Sequence, residues 1–227
     1  MIVYGKQVVF YIVDKYPKLI QKIYLTKELD KQTFKKFMDI GVKIIRPDNK
    51  KAQALARGGN HQGFLLEILP YEFTPISIIK KYNFLVVLDG LSDVGNIGAI
   101  IRSCYALGVD GVVVCGLKNF NPAPIIRTSS GAMLDIDVAT YYNSYDLANE
   151  LKQVGFSLVG ASMDGYEAKT IEKDPRQKVA LFLGNESSGL SKKLQKKLDL
   201  KVSIGMKNDF DSLNVSVAAG ILIYELR

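Results

Sequence analysis

Continuous apolar runs in the carboxyl-terminal part of the chain limit its possible folds more than any other feature. Four such runs end in glycine or a small polar residue: 84–90, 111–116, 156–162 and 179–185. They are typical of parallel strands buried on both faces. Helical candidates separate them, at 97–107, 144–154 and 188–198. The pattern predicts an α/β domain with a parallel sheet and helices on both faces, and its ligand site is expected at the carboxyl ends of the strands.

The amino-terminal part alternates short elements and predicts a small α/β domain. An apolar stripe comes first, followed by strand-like and helical segments at 22–26, 31–40, 42–47, 50–58 and 63–69. Pro70 and Pro75 lie in a mixed stretch that is typical of a linker. We therefore expect a first domain at 1–69, a linker at 70–83 and a second domain at 84–227.

The net charge of +7 is unevenly distributed along the 227 residues. Residues 1–83 contain 15 Lys and Arg against 7 Asp and Glu, whereas residues 84–227 contain 15 against 16. A basic module beside a nearly neutral one favours a polyanionic partner such as nucleic acid, although a lysine-rich solvated surface is equally compatible with the counts.

Several classes of protein are disfavoured by composition. No apolar run approaches the ~20 residues that span a bilayer, and the first residues lack the order of a signal peptide, so we expect a cytoplasmic protein without a membrane partner. Cys104 and Cys115 lie in apolar segments, and His61 is the single histidine of the chain. We therefore expect no metal site and no disulfide framework.

The carboxyl-terminal segment from Leu213 to Tyr224 is apolar nearly all round and predicts a helix buried in a core or an interface. Ser212 is expected to cap this helix, which would place Asn214 and Ser216 in its first turn. Free backbone N–H groups and the positive end of the helix dipole favour a polar ligand there. Taken alone, the pattern indicates a well-capped helix.

Two further loops follow strand candidates. After the first run, Asn96 and Gly98 lie at a helix entrance, and Arg102 on that helix is either a surface residue or a fork that grips an anion such as phosphate. After the fourth run, the glycine-rich turn 184–191 contains one carboxylate, Glu186. Leu190 stands where a phosphate-binding loop has lysine, and no GxGxxG follows the first strand, so nucleotide triphosphatases and nicotinamide enzymes are disfavoured.

The order of three motifs resembles the SpoU/TrmH family of RNA ribose 2′-O-methyltransferases, in the SPOUT superfamily. The motifs are NIGAIIR at 96–102, GNESSGLS at 184–191 and SLNVSVAAGILIYE at 212–225. The stretch from Pro122 to Ala132 is similar to the connecting region of the family. Val3-Tyr4-Gly5 and His61-Gln62-Gly63 are similar to the ribosomal-protein-like RNA-binding domain of members that act on ribosomal RNA.

The resemblance implies a set of site residues. It implies a catalytic constellation of Asn96, Arg102, Glu186, Ser212 and Asn214. It implies that S-adenosylmethionine binds at Leu183, Gly184, Asn185, Ile204, Met206, Ser212, Leu213 and Asn214. RNA contacts are expected from Arg102, His61 and Gln62, although a surface or capping role is the ordinary one for an isolated histidine. The sequence departs from the family at Val94 and Gly205, where proline is common.

The implied activity is methyl transfer from S-adenosylmethionine to a ribose 2′-hydroxyl of RNA. Guanosine of 23S ribosomal RNA is the expected target, because tRNA-modifying members generally lack the amino-terminal module. A tRNA ribose methyltransferase and a non-catalytic RNA-binding dimer are the alternatives. The resemblance also implies a deep trefoil knot and a homodimer formed through the apolar carboxyl-terminal helix.

Overall fold

The computed structural model describes residues 1–117, 120–172, 174–185, 188–207 and 212–227. The chain forms two compact units. Unit 1 comprises residues 1–72 and 121–131, and unit 2 comprises residues 73–120 and 132–227. The amino-terminal unit is therefore built from two separate stretches of chain.

The described residues form ten strands and nine α-helices in an alternating order. The strands are β1 (Ile2–Tyr4), β2 (Ile20–Leu25), β3 (Lys43–Ile45), β4 (Phe64–Ile68), β5 (Phe84–Asp89), β6 (Gly111–Cys115), β7 (Asp137–Tyr141), β8 (Phe156–Glu167), β9 (Lys178–Leu183) and β10 (Leu200–Ser203). The helices are α1 (Lys6–Lys15), α2 (Lys31–Met38), α3 (Asn49–Leu55), α4 (Ile76–Ile79), α5 (Val94–Leu107), α6 (Pro122–Thr128), α7 (Ser144–Gln153), α8 (Lys192–Gln195) and α9 (Val215–Leu226).

Unit 1 contains a four-stranded sheet in the order β1-β4-β2-β3, in which β2 and β3 are parallel and the other pairs are antiparallel. An aromatic cluster forms part of its core, with ring centroids of Phe10, Phe37 and Phe64 separated by 5.2 to 6.3 Å. Offset and edge-to-face packing of this kind contributes beyond the burial of apolar area.

Helix α6 packs against β1 and so belongs to unit 1 although it is distant in sequence. The guanidinium of Arg127 lies over the ring of Tyr4, 5.1 Å from its centroid. Ser129, just after the helix, is fully buried, and its hydroxyl donates to the carbonyl of Ile126 at 3.2 Å. The segment 121–131 therefore contributes core and aromatic contacts to the unit that begins the chain.

Unit 2 contains a six-stranded sheet in the order β10-β8-β9-β5-β6-β7, with every neighbouring pair parallel. One face packs on α4, α7 and α8 through a core that includes Leu85, Phe182 and Leu194. Alternate strand residues such as Val86 point to the opposite face, where α5 and α9 pack together. The expected α/β class with a parallel sheet and helices on both faces is confirmed.

The four apolar runs correspond to β5, β6, β8 and β9, and the helical candidates at 97–107 and 144–154 correspond to α5 and α7. The candidate at 188–198 is wrong in length, because only Lys192–Gln195 is helical there. Residues of the expected linker form α4. The expected domain boundaries at 69, 83 and 84 stay a prediction.

Candidate active site

A cavity of about 960 Å³ lies in unit 2 at the carboxyl ends of the strands β8, β9 and β10 and at the start of α9. Its size is in the range of pockets that hold cofactors and other small ligands. Apolar side chains at Leu183, Val202 and Leu222 line part of it, and polar groups at Asn185 and Ser203 line another part. The cavity can therefore bury an apolar ring while offering hydrogen bonds to polar atoms.

Asn214 joins the first turns of α5 and α9. Its side-chain oxygen accepts from the backbone N–H of Ser216 at 2.9 Å, which makes it the N-cap of α9, and its side-chain nitrogen donates to Asn96 Oδ1 at 3.1 Å. Asn96 is in turn held by its backbone N–H, which donates to Asp93 Oδ1 at 2.7 Å. The expected cap at Ser212 is wrong: α9 begins two residues later than the Ser212 cap requires, and Asn214 offers the capping oxygen.

The wall formed by Gly184 and Gly189 has no space for a side chain at Gly184. The Gly189 N–H donates to the Asn185 carbonyl at 2.8 Å, which closes the turn. A Cβ at Gly184 would lie 2.6 Å from the Gly189 carbonyl oxygen, a distance that real Cβ atoms essentially never show. Two backbone segments therefore approach each other directly at the pocket, and only glycine at position 184 permits this approach.

The long strand β8 supplies a second wall. Its pairing with β10 shifts register between Lys201 and Val202, so that residues 161–165 bulge out of the ladder. A Cβ at Gly165 would lie 2.6 Å from the backbone N of Val202, so the strands can approach closely here only because residue 165 is glycine. The bulge directs Ala161, Ser162 and Met163 to the pocket.

All eight residues expected to hold the cofactor line this one cavity. They are Leu183, Gly184, Asn185, Ile204, Met206, Ser212, Leu213 and Asn214. Of the five expected catalytic residues, Ser212 and Asn214 line the cavity. Asn96 accepts a hydrogen bond from the side chain of Asn214. Glu186 lies outside the described residues.

Arg102 does not line the cavity. It is exposed on α5, six residues after Asn96 and so about 9 Å along the helix axis. Its guanidinium forms no hydrogen bond or ion pair with the residues that the structure describes. An exposed fork of N–H donors is available there to grip an anion.

His61 and Gln62 lie in a tight turn of unit 1. The Gly63 N–H donates to His61 Nδ1 at 3.1 Å, and the Lys6 N–H at the start of α1 donates to Gln62 Oε1 at 2.9 Å. Gln62 has a positive φ of 55°, which is uncommon for a residue other than glycine. Both side chains therefore stabilise the turn, and a contact with RNA by His61 or Gln62 stays a prediction.

Burial favours the neutral forms of three titratable groups on β5, β6 and α5. It raises the pKa of the Asp89 carboxyl, with a smaller opposing effect of a hydrogen bond from Ser144. Burial also raises the pKa of the Cys104 and Cys115 thiols. Neither thiol is activated as a nucleophile, as expected for small core residues.

The described residues provide neither a metal centre nor a membrane-spanning helix. No group of three or more His, Cys, Asp or Glu side chains is placed to hold a metal ion there. Within the same residues, every helix is too short or too polar to cross a bilayer.

Sequence reasoning missed part of the cavity wall. The bulge of β8, Glu167, Val202, Ser203 and the inner face of α9 at Ala218 and Leu222 were not expected to line it. The glycines at 160 and 165 within one strand were the available signal, because glycine inside a strand marks a bulge or a close backbone approach.

Comparison with known proteins agrees with this architecture. The model of the SpoU rRNA Methylase family matches residues 83–224, and a model described as RNA 2′-O ribose methyltransferase substrate binding matches residues 2–74. An uncharacterized tRNA/rRNA methyltransferase of Borreliella burgdorferi is 30% identical over 200 residues, covering 82% of this chain and 87% of the relative.

Two further proteins match nearly the whole chain. The 23S rRNA (guanosine-2′-O-)-methyltransferase RlmB of Coxiella burnetii is 29% identical over 239 residues, covering 99% of this chain and 94% of its own. The SpoU methyltransferase AviRb of Streptomyces viridochromogenes, solved with AdoMet, superposes with a TM-score of 0.78 at 23% identity, covering 99% of this chain and 88% of that one. Other curated relatives are longer, and the chain spans 50 to 62% of their length.

The fold, the cavity and these matches together define an RNA methyltransferase with a separate amino-terminal unit. The chain belongs to the SpoU rRNA Methylase family.

Proposed function

We propose that the protein transfers a methyl group from S-adenosylmethionine to a ribose 2′-hydroxyl of RNA, and that its substrate is a guanosine of 23S ribosomal RNA. The observation that carries the proposal is the cavity itself, because all eight residues implied for the cofactor line it and the Asn96–Asn214 hydrogen bond stands at its edge. The family match and the RlmB relative support the reaction class.

The residues of the cavity fit S-adenosylmethionine. Leu183, Val202 and Leu222 provide apolar surface for an adenine ring, and polar groups of Gly184 and Asn185, which line the same cavity, are assigned to its edge. The first turn of α9, at the positive end of the helix dipole, lies at the same cavity and favours the carboxylate of the methionine end. When bound, the cofactor supplies a methyl group on a positively charged sulfur.

The protein contributes mainly orientation to this transfer. Displacement at a methyl carbon needs the attacking oxygen, the carbon and the sulfur in line, and pre-organisation of this kind contributes on the order of 7 kcal/mol or more in favourable cases. In this proposal Asn96, Ser212 and Asn214 orient the ribose and the methionine end. Glu186, which lies outside the described residues, is assigned the role of fixing a neighbouring loop or Arg102.

Arg102 grips the phosphate of the target nucleotide in this proposal. A guanidinium stays protonated at neutral pH and is a poor base, whereas its planar fork matches a phosphate bidentately. The proton of the ribose hydroxyl therefore leaves to a nearby phosphate oxygen or to water. The exposure of Arg102 on α5 leaves it free to meet RNA.

Unit 1 selects the RNA. The amino-terminal part has the strong excess of basic residues, and its match is to a substrate-binding family. His61 and Gln62 in their tight turn would contact the RNA, beside Lys6, whose backbone N–H donates to Gln62. Family members that act on tRNA generally lack such a unit, which favours ribosomal RNA as the substrate. A cytoplasmic location is part of the same proposal.

A methyl-transfer assay tests the proposal. Purified protein and labelled S-adenosylmethionine are incubated with an unmodified transcript of 23S ribosomal RNA in one reaction and with an unmodified tRNA transcript in another. The methylated nucleotide is then mapped. We expect one ribose-methylated guanosine in 23S RNA. Methylation of tRNA alone would show that tRNA, and not 23S RNA, is the substrate. Binding of RNA without binding of S-adenosylmethionine would indicate a non-catalytic RNA-binding protein.

We also propose a homodimer formed through α9, together with the trefoil knot implied by the family. Val217, Ile221 and Tyr224 form an apolar stripe at helical spacing and are 50%, 36% and 56% exposed. A stripe of this kind on a helix otherwise packed in the core favours burial against a second copy. Light scattering checks the mass, and Ile221→Lys should shift the protein toward monomer.

A further inference from the structure

Four lysines lie within six residues of unit 2, although that part of the chain is nearly neutral overall. They are Lys192, Lys193, Lys196 and Lys197, in and just after α8, and we call them the lysine turn. The first three are exposed and the fourth is half-buried. None of the four pairs with an acidic side chain in the part of the chain that the structure describes.

Two described carboxylates close in sequence to the lysine turn or to Tyr145 bond to other residues. Asp199 accepts from Lys152 at 2.7 Å and from the Leu158 N–H at 2.9 Å. Asp146 accepts from the side-chain nitrogen of Asn143 at 2.6 Å. Like charges three or four positions apart are destabilising by a few tenths of a kcal/mol per pair, so an uncompensated cluster of this kind favours an external anion.

Aromatic contacts hold two of the lysines in place. The Lys193 ammonium lies 4.2 Å and the Lys197 ammonium 5.2 Å from the ring centroid of Tyr145, at the start of α7. Cation–π attraction stabilises these positions. Because both side chains are already restrained, they lose less rotamer freedom when they meet a phosphate than free lysines would.

The backbone of the lysine turn is anchored beside the cofactor cavity. Leu190 and Leu194 are buried in the core, and the Gln195 side chain donates to the Leu190 carbonyl at 2.8 Å. Gly189, directly before Leu190, lines the cavity. The lysines therefore project from a fixed support that begins at the wall of the proposed active site, on the sheet face opposite to the α9 stripe.

We propose that the lysine turn is a phosphate-contact surface for the RNA substrate, additional to unit 1. Four ammonium groups within six residues, none paired with a described carboxylate, fit a polyanionic backbone, which is bound by charge and not by sequence. This inference rests on the proposed function only for the identity of the RNA, and its test measures binding separately from methyl transfer.

The test compares full-length proteins by filter binding to a 23S RNA transcript over a range of salt concentrations. In the variant Lys192→Ala/Lys193→Ala/Lys196→Ala/Lys197→Ala, we expect at least about tenfold weaker binding near 0.1 M salt. The slope of log K against log salt should fall by about 0.7 for each phosphate of single-stranded RNA that a lysine no longer neutralises. Alanine favours helix, so the fold should be retained.

The control removes two other exposed cations of unit 2, through Lys81→Ala and Arg176→Ala. Both positions are exposed, and Arg176 pairs only with Asp174 among the described residues. The control should bind RNA like the wild type, and all variants should bind S-adenosylmethionine with unchanged affinity. RNA binding by the fourfold variant that equals the control in affinity and slope would overturn the inference, whether or not the wild type methylates RNA.

Discussion

The side-chain nitrogen of Asn214 donates a hydrogen bond of 3.1 Å to the side-chain oxygen of Asn96, which lies 118 positions earlier in the chain. The same asparagine caps α9 through its oxygen. One side chain therefore uses its acceptor to begin a helix and its donor to hold a second helix beside it, at the edge of the cofactor cavity.

This dual use predicts separable effects of two substitutions. Asn214→Asp keeps the capping oxygen but replaces the donor by a carboxylate, so we expect near-normal thermal stability and at least about tenfold slower methyl transfer. Asn214→Ala should lose the activity and also about 1 kcal/mol of stability with the cap.

Asn143 provides the control, because it caps α7 by the same chemistry away from the cavity. Asn143→Ala should lose similar stability and retain activity. Thermal denaturation and the transfer assay, run on all three variants, check the prediction. Full activity of Asn214→Asp would contradict a role of the hydrogen bond to Asn96.

A methyl group at Gly184 should damage the cavity wall. In Gly184→Ala the Cβ meets the backbone of Gly189 and Leu190, neither of which is the flexible end of a side chain. We expect at least about tenfold weaker binding of S-adenosylmethionine, measured by isothermal titration.

Gly220→Ala is the comparison for the previous variant. A Cβ there meets only Ser103 Oγ, at 3.9 Å, and alanine in place of glycine within a helix contributes up to about 1 kcal/mol. This variant should bind the cofactor normally and melt at the same or a higher temperature. Equal affinities of the two variants for S-adenosylmethionine would contradict the role of Gly184 in the wall of the cofactor cavity.

Replacement of the guanidinium at Arg102 tests the phosphate clamp. Arg102→Lys keeps the charge and loses the bidentate fork. We expect at least about tenfold lower kcat/KM for RNA with unchanged binding of S-adenosylmethionine. Arg176→Lys, at a position whose side chain is 90% exposed, should leave both values unchanged. Turnover by Arg102→Lys close to that of the wild type would mean that the clamp is wrong.

Alkaline pH should destabilise unit 2 through Tyr82. A hydrogen bond to Asp137, followed by burial and by the Asp137 charge, raises the pKa of Tyr82 to about 12 from an ordinary value near 10. As the pH rises, the Tyr82 hydroxyl loses its proton in the unfolded chain before it does so in the folded protein. Its contribution to the free energy of unfolding is therefore present below pH 10 and is lost between pH 10 and 12.

Denaturant unfolding across this pH range measures the effect. Tyr82→Phe should remove part of the loss of stability above pH 10. The rest should remain, because a hydrogen bond to Glu150 raises the pKa of Tyr141 to about 12 as well. Tyr142→Phe, at a position that is 89% exposed, should leave the profile as it is. An unchanged slope in Tyr82→Phe would contradict the assignment.

The central strands of the sheet were predictable because burial on both faces leaves a continuous apolar run. The edge strand β10 was not, since Val202 is its one buried residue, and an edge strand is covered on fewer sides. The cap of α9 was misplaced because Ser212 and Asn214 both suit an N-cap. In the structure Asn214, which also bonds Asn96, is the residue that accepts from the Ser216 N–H.

The cofactor residues came from family resemblance and not from periodicity. Spacing alone cannot bring the separate segments at 183–185, 204–206 and 212–214 to one cavity, because that depends on the order of β8, β9 and β10 in the sheet. The membership of α6 in unit 1 was equally hidden, since the contact of Arg127 with Tyr4 links residues 123 positions apart in sequence.

The composition of unit 1 from residues 1–72 and 121–131 has a consequence for the exchange of such units between relatives. A single genetic crossover near residue 72 would transfer the sheet of unit 1 without α6, the helix that packs on β1. The corresponding helix of the other parent would then stand in place of α6. Chimaeras that keep unit 1 complete must therefore carry two coding segments together, and those with one should be recovered mostly as insoluble protein.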